Sequence, residues 1–262
     1  ISVFANLRGS GGIAIGNVLG SNIANILLVI GLSAVLVPLI SKSQAVMRDL
    51  LMMIAVTGLL AFIMQYGAID RLAGFAMIIL LLGYMFFQYC MAKAGKDAGM
   101  GEEDAPNYSK PIYAYAYLFA GLVVIAVGAE FLVRGASASA AIIGVPEAVI
   151  GLSIIALGTS LPELSTCLIA VRKGHSDIVL GNIIGSNVFN ILMILGFTAL
   201  VKPIAAGSFA PQLVNFDIWI TVLVSVVFTL MLVLFGKIGR VTGIVFCLAY
   251  LVYNIYIFAI YL

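Results

Sequence analysis

Eight predominantly apolar stretches partition this chain, at 13–37, 45–66, 69–92, 112–138, 148–171, 178–201, 214–235 and 241–262. Each is close to the roughly 20 residues that carry a helix across a bilayer core. A soluble domain has no place for so much apolar surface: 63% of the residues are hydrophobic and 9% charged, against about a quarter charged in ordinary globular domains. Mean hydropathy is +1.21. Inside a bilayer every backbone polar group must be paired within the protein, which leaves helices or closed barrels. The stretches are continuous blocks without the residue-by-residue alternation of barrel strands, so the reading is helical. The fold class expected is all-α and polytopic, with eight full spans here. Residues 1–7 read as the last two turns of a further helix whose beginning precedes Ile1.

Charge placement sets the expected orientation. Counting sides by alternation, Lys42, Arg48, Lys93, Lys96, Lys110, Arg172, Lys173, Lys237 and Arg240 share one face, and Arg8, Arg71, Arg134 and Lys202 the other. The positive-inside rule makes the first face cytoplasmic and puts the Arg8 turn and the C-terminus outside, in a plasma (inner) membrane. A net charge of +2 is too small to suggest nucleic acid as a partner. Cys90, Cys167 and Cys247 all sit in apolar stretches and form no Cys-x-x-Cys pair, so no disulfide or zinc framework is implied. The opening residues lack the charged and apolar regions of a signal peptide. The one long polar break, 93–111, mixes Lys, acids, Gly and Pro. Its run from Asp97 to Asp104 misses the spacing of a calcium loop, and it reads as a solvated cytoplasmic linker between halves at 1–92 and 112–262.

Those halves share a phrase. "GNVLGSNIANIL" begins at Gly16 and "GNIIGSNVFNIL" at Gly181, an offset of 181 − 16 = 165. Nine positions are identical in the windows 16–31 and 181–196, among them Asn17/Asn182, Ser21/Ser186, Asn22/Asn187 and Asn25/Asn190; Pro38 then matches Pro203. The charge count orients the two copies oppositely. Homologous halves of opposite orientation mark a secondary transporter whose substrate site lies near the midplane where they meet. With an odd number of spans in each, the intact architecture is 5+5 helices, and the first half would lack one helix and most of the next.

The stretch before the second copy reads "GLSIIALGTSLPELSTCLIAV". Pro162 has no amide hydrogen and its ring opposes the carbonyl of Gly158, so a bend or break is expected at Gly158-Thr159-Ser160, with freed carbonyls lining a cavity. Glu163 stands in mid-span, where an acid costs about 2.5–3.5 kcal/mol on insertion scales, and an ion or proton must meet it. Asn182, Ser186 and Asn190 recur at i, i+4 and i+8 on one helix face, as do Asn17, Ser21 and Asn25. Carboxylate, hydroxyl, amide and carbonyl oxygens suit a hard cation such as Ca²⁺ or Na⁺. The plainer reading of Gly-x-x-x-Gly with Ser and Asn is helix packing, and packing is the reading for Asn22, one residue off the polar line. Glu130 and Arg134 read as an i, i+4 pair, Glu147 as an acid at a helix start, His175 as solvated, and Cys167 as a buried inert thiol.

"GTSLPE" at 158–163, with "GNIIGSNVFN" at 181–190 and "GNVLGSNIAN" at 16–25, closely resembles the alpha repeats of the sodium/calcium exchanger family, in the cation/calcium antiporter superfamily. The resemblance implies Na⁺-driven Ca²⁺ exchange by alternating access, with no catalytic residues, no cofactor beyond the transported ions, and no protein partner besides the lipid bilayer. It further implies that Glu163 is the shared carboxylate, that Thr159 and Ala156 supply backbone carbonyls, and that Ser160 and Ser186 give hydroxyl contacts. Asn25 and Asn190 would be a central amide pair, and Ser21 the partner of Ser186. K⁺-carrying members resemble one another in having Asp where Asn190 stands, which favours a K⁺-independent exchanger. The first-half partner of Glu163 falls at 163 − 165 = −2, outside this sequence. Rival readings are H⁺/Ca²⁺ exchange, whose branch usually places an acid where Gly20-Ser21 and Gly185-Ser186 stand, and a non-transporting scaffold that uses the amides for packing.

Overall fold

The apolar stretches fold as helices within a few residues of where the sequence places them. The computed structural model describes residues 1–41, 43–94, 111–142 and 144–261. A stub, α1 (Ser2–Leu7), precedes α2 (Gly11–Leu36), α3 (Gln44–Met64), α4 (Arg71–Lys93), α5 (Pro111–Ile142), α6 (Ala148–Arg172), α7 (Ser176–Val201), α8 (Leu213–Phe235) and α9 (Arg240–Tyr261). Two short strands, β1 (Leu39–Ile40) and β2 (Lys237–Ile238), join the connections. Among the described residues seven helices are long and apolar enough to cross a membrane, and the 32 residues of α5 would reach about 48 Å at 1.5 Å each. The chain is a multi-pass helical membrane protein. Linker residues 95–110 and the side chains of Glu130 and Glu147, with the readings that rest on them, lie outside the described residues.

Helix α2 is the central element, with Ile15, Val18, Leu19, Ile23, Ile26 and Ile30 all fully buried. It packs on the start of α6 through glycine. A Cβ added to Gly16 would lie 3.2 Å from the Ala148 carbonyl oxygen, and one on Gly151 would lie 3.2 Å from Ile13 Cα. At Gly20 an added Cβ would run into the Leu152 carbonyl oxygen and the Ala156 Cβ. Because the obstruction is backbone, the helices must separate to admit even a methyl group. Gly20→Ala is therefore expected to lower stability by about 1–3 kcal/mol, the usual cost of overpacking. Gly58→Ala, in α3 with nothing within 4 Å of the added carbon, should leave the thermal unfolding midpoint unchanged or higher. Equal effects from the two substitutions would refute the close approach.

The duplication is visible in backbone geometry. α2 is α-helical over Gly11–Ala24, π-helical over Asn25–Ile30 and α-helical again over Gly31–Leu36. α7 repeats the sequence over Ser176–Phe189, Asn190–Leu195 and Gly196–Val201, so that 190 − 25 = 165 and 196 − 31 = 165. Both helices end in an extended residue, Val37 (φ −139°) and Lys202 (φ −144°), as the following Pro38 and Pro203 require. Both are preceded by a left-handed turn at Gly9 (φ 93°) and Gly174 (φ 85°), which a side chain would resist.

The two halves are joined reciprocally and run in opposite senses. Leu39 pairs antiparallel with Ile238, and Ile69 bridges Ile204. Since 39 + 165 = 204 and 238 − 69 = 169, the second link is the first with the halves exchanged. β1 leads into α3 and pairs with β2, which leaves α8; Ile69 follows α3 and meets Ile204 before α8. These helices are thus antiparallel, as an inverted repeat demands.

The expected break in α6 is displaced. The helix runs α-helical from Ala156 through Pro162 to Arg172, and the irregular turn is the π-helical Gly151–Ile155 before it. Gly158, whose carbonyl the proline ring opposes, has no side chain to obstruct a small tilt of that carbonyl. The Ser165 and Thr166 hydroxyls donate to the Leu161 and Pro162 carbonyls, at 2.9 and 3.0 Å, and tie down the turn that follows.

Candidate cation site between the repeats

Helices α2, α6 and α7 present their polar side chains to one cavity of about 800 Å³, which also touches Ser2 of α1 and Tyr84 of α4. Of the eight residues singled out in the sequence, Ser21, Asn25, Thr159, Ser160, Glu163, Ser186 and Asn190 line it. Ala156 does not: it is buried, and its carbonyl oxygen accepts the Thr159 hydroxyl at 3.0 Å. Gly181 and Gly185 form open wall, with nothing within 4 Å of an added Cβ.

One polar network crosses from α2 to α6. Thr159 Oγ1 lies 2.9 Å from Ser21 Oγ and 3.1 Å from Asn17 Oδ1, while Asn17 Nδ2 donates to Ser2 Oγ at 3.0 Å. In the other half, Asn182 Nδ2 donates to Cys167 Sγ at 3.4 Å, and 2 + 165 = 167 makes the thiol the counterpart of Ser2. Ser186 Oγ donates to Glu163 Oε1 at 3.5 Å. Ser21, the repeat counterpart of Ser186 (186 − 165 = 21), bonds to Thr159 and Asn17.

A second network sits on the axis relating the halves. Asn22 Nδ2 donates to the Asn187 carbonyl at 3.3 Å and Asn187 Nδ2 to the Asn22 carbonyl at 3.4 Å. Asn25 Nδ2 donates to Asn187 Oδ1, and Asn190 Nδ2 to Asn22 Oδ1, both at 2.9 Å. Asn25 and Asn190 are therefore not bonded as a pair; each is held by the opposite repeat's Asn187 or Asn22. Asn22, read as packing, is a hydrogen-bonding residue at the crossing of α2 and α7. The sequence signal was the presence of this third amide in both copies.

The cavity is rich in oxygen acceptors left without donors. Glu163 Oε2, Ser160 Oγ and Asn25 Oδ1 are buried and unpartnered. Carboxylate, hydroxyl and amide oxygens are ligands for hard cations. Among the described residues no three His, Cys, Asp or Glu side chains cluster, so a soft-metal site is not built here. The acid among the cavity-lining residues is Glu163.

A multi-pass membrane protein with an inverted repeat meeting at an oxygen-lined cavity is, as a class, a secondary ion transporter. Residues 1–90 and 113–259 match the family described as sodium/calcium exchanger protein, and the chain belongs to that family. It is 34% identical to the putative antiporter CaxA of Alkalimonas amylolytica, covering 99% of this chain and 82% of that one. To the sodium/calcium exchanger MaX1 of Methanosarcina acetivorans it is 29% identical, covering 99% and 84%. The structure of the sodium-calcium exchanger NCX_Mj soaked with 2.5 mM Na⁺ and 10 mM Sr²⁺ is similar over 96% of this chain and 79% of that one, with a TM-score of 0.74 and 31% identity. The family is one of antiporters, and its fold is the one seen here.

Proposed function

We propose that the chain exchanges Na⁺ for Ca²⁺ across a membrane by alternating access, with the ions held in the cavity between the repeats. The observation that carries this reading is the convergence of the unpartnered oxygens of Glu163, Ser160 and Asn25 on that cavity. Glu163 is the carboxylate common to both ions. Thr159 and Ala156 offer backbone carbonyls, the latter also accepting the Thr159 hydroxyl; Ser160, Ser186 and Ser21 offer hydroxyl oxygens, and Asn25 and Asn190 amide oxygens. The functional halves are 1–92 and 112–262, linked by 93–111 on the cytoplasmic side of a plasma (inner) membrane.

The two copies carry Gly-Ser where a proton-coupled branch would carry an acid, which favours Na⁺ over H⁺. The test is Ca²⁺ uptake by reconstituted vesicles loaded with Na⁺. Collapsing the Na⁺ gradient should stop uptake, and collapsing a pH gradient should leave it intact. The reverse pattern would select H⁺/Ca²⁺ exchange, and no uptake with intact Na⁺ and Ca²⁺ binding would remove the transport reading.

A further inference from the structure

In each half, a carboxylate near the start of one helix accepts a hydrogen bond from a tyrosine on the next. Tyr84 of α4 donates to Asp49 of α3 at 2.7 Å, and Tyr253 of α9 donates to Asp217 of α8 at 3.0 Å. The pairs are repeat counterparts, since 217 − 49 = 168 and 253 − 84 = 169. Because α3 and α8 are antiparallel, they lie toward opposite faces of the membrane. Their surroundings are not equivalent. Asp49 is half-buried, takes a second hydrogen bond from Gln88, and follows Arg48, whose guanidinium stands over Phe87. At the corresponding places in the second half, Ile257 replaces Gln88 and Phe216, its ring tilted against that of Tyr256, replaces Arg48.

Asp217 is accordingly 0% exposed, with one donor on Oδ1 and none on Oδ2. α2, which packs against this turn and against α8, has no titratable residue. α9 brings Tyr253 and Tyr256, and α8 has no other charged residue. The charges of α3, Arg48 and Asp49, belong to the end remote from Asp217, as does Lys237 beyond the end of α8. An ionised carboxylate in this place would rest on a single hydrogen bond in an apolar environment, whereas a neutral acid removes the charge altogether.

We propose that Asp217, with Tyr253, is a proton-binding site outside the cation cavity. A row of hydroxyl residues continues from it along the buried face of α8. Thr221, Ser225 and Thr229 follow Asp217 at four-residue steps, about 6 Å apart along the axis, and all are buried. Thr221 donates to the Asp217 carbonyl at 2.9 Å, as membrane-helix hydroxyls commonly do, but Ser225 Oγ and Thr229 Oγ1 have no partner.

The test is infrared spectroscopy of the whole chain in lipid nanodiscs, acidified stepwise from neutral pH. Glu163→Gln serves as the parent, so that the cavity carboxylate contributes nothing. The carbonyl stretch of a protonated carboxylic acid should be present, should vanish in Asp217→Asn, and should survive Asp49→Asn. Asn can still accept from Tyr253, and circular dichroism reports whether the variant stays helical. Tyr253→Phe is the second probe: it removes the donor, so the band should persist at higher frequency. A missing band, a band that survives Asp217→Asn, or one that does not move in Tyr253→Phe overturns the site.

Discussion

Glu163→Gln is expected to reduce Na⁺-gradient-driven Ca²⁺ uptake to the level of protein-free vesicles. Gln has the same shape and keeps an oxygen for the Ser186 hydroxyl, so what is removed is one unit of charge. At an effective dielectric constant of about 20 and a Ca²⁺–oxygen distance of about 2.4 Å, that charge interacts with the divalent ion by on the order of 10 kcal/mol. Even if easier dehydration of the site returned two thirds of it, roughly 3 kcal/mol, or more than two decades of Ca²⁺ affinity, would be lost. Na⁺, with half the charge, loses about half the interaction. The substitution should leave the fold intact, because Oε2 has no partner whose loss would be felt. The measurements are radiolabelled Ca²⁺ uptake and calorimetric Ca²⁺ binding, with thermal unfolding as the control. Uptake above a tenth of wild type in a folded variant would show that the carboxylate is not an ion ligand. Unchanged binding of both ions would support the scaffold reading instead.

Much of this site could be read from spacing alone, for a definable reason. A membrane helix hides little: apolar length sets its ends, and polar residues at i, i+4 and i+8 declare a face. Ser21, Asn25, Ser186, Asn190 and Glu163 were identified in that way, and all line the cavity. Spacing does not say what an opposite face meets. Asn22 and Asn187 lie off the polar line, and only the crossing of α2 over α7 turns them into reciprocal donors. The irregular turn of α6 was misplaced because a proline identifies the hydrogen bond that is lost but not where the helix relaxes. The row Asp217, Thr221, Ser225, Thr229 has the same four-residue period and was open to the same reasoning. It has no counterpart row in the first half, where Met53 and Ala61 stand at the places of Thr221 and Thr229.

The four central amides carry the second large effect. Asn187→Ala removes the acceptor of Asn25 Nδ2 and one donor to the Asn22 carbonyl; that carbonyl keeps its helical bond from the Asn25 amide, so Asn25 Nδ2 is the group left unpartnered where Asn187 is 0% exposed. At about 1–3 kcal/mol for an unsatisfied buried group, the loss is a large share of an ordinary folding free energy. The symmetry of the clasp predicts nearly the same loss for Asn22→Ala, which strips Asn190 Nδ2 of its acceptor while the Asn187 carbonyl keeps its bond from the Asn190 amide. Double-mutant cycles separate this arrangement from a central Asn25–Asn190 pair. Coupling of about 0.5–3 kcal/mol is expected for Asn25 with Asn187 and for Asn190 with Asn22, and little for Asn25 with Asn190. Strong coupling in the last cycle would restore the pair and discard the clasp. The clasp also bears on the ions. With its Nδ2 committed to Asn187, Asn25 can only turn its oxygen toward the cavity, where Oδ1 has no protein partner. Asn187→Ala frees that amide to rotate and present hydrogens to a cation. It should therefore weaken Ca²⁺ and Na⁺ binding from a position that touches neither ion, and unchanged affinity in the folded variant would show that the orientation of Asn25 is set elsewhere.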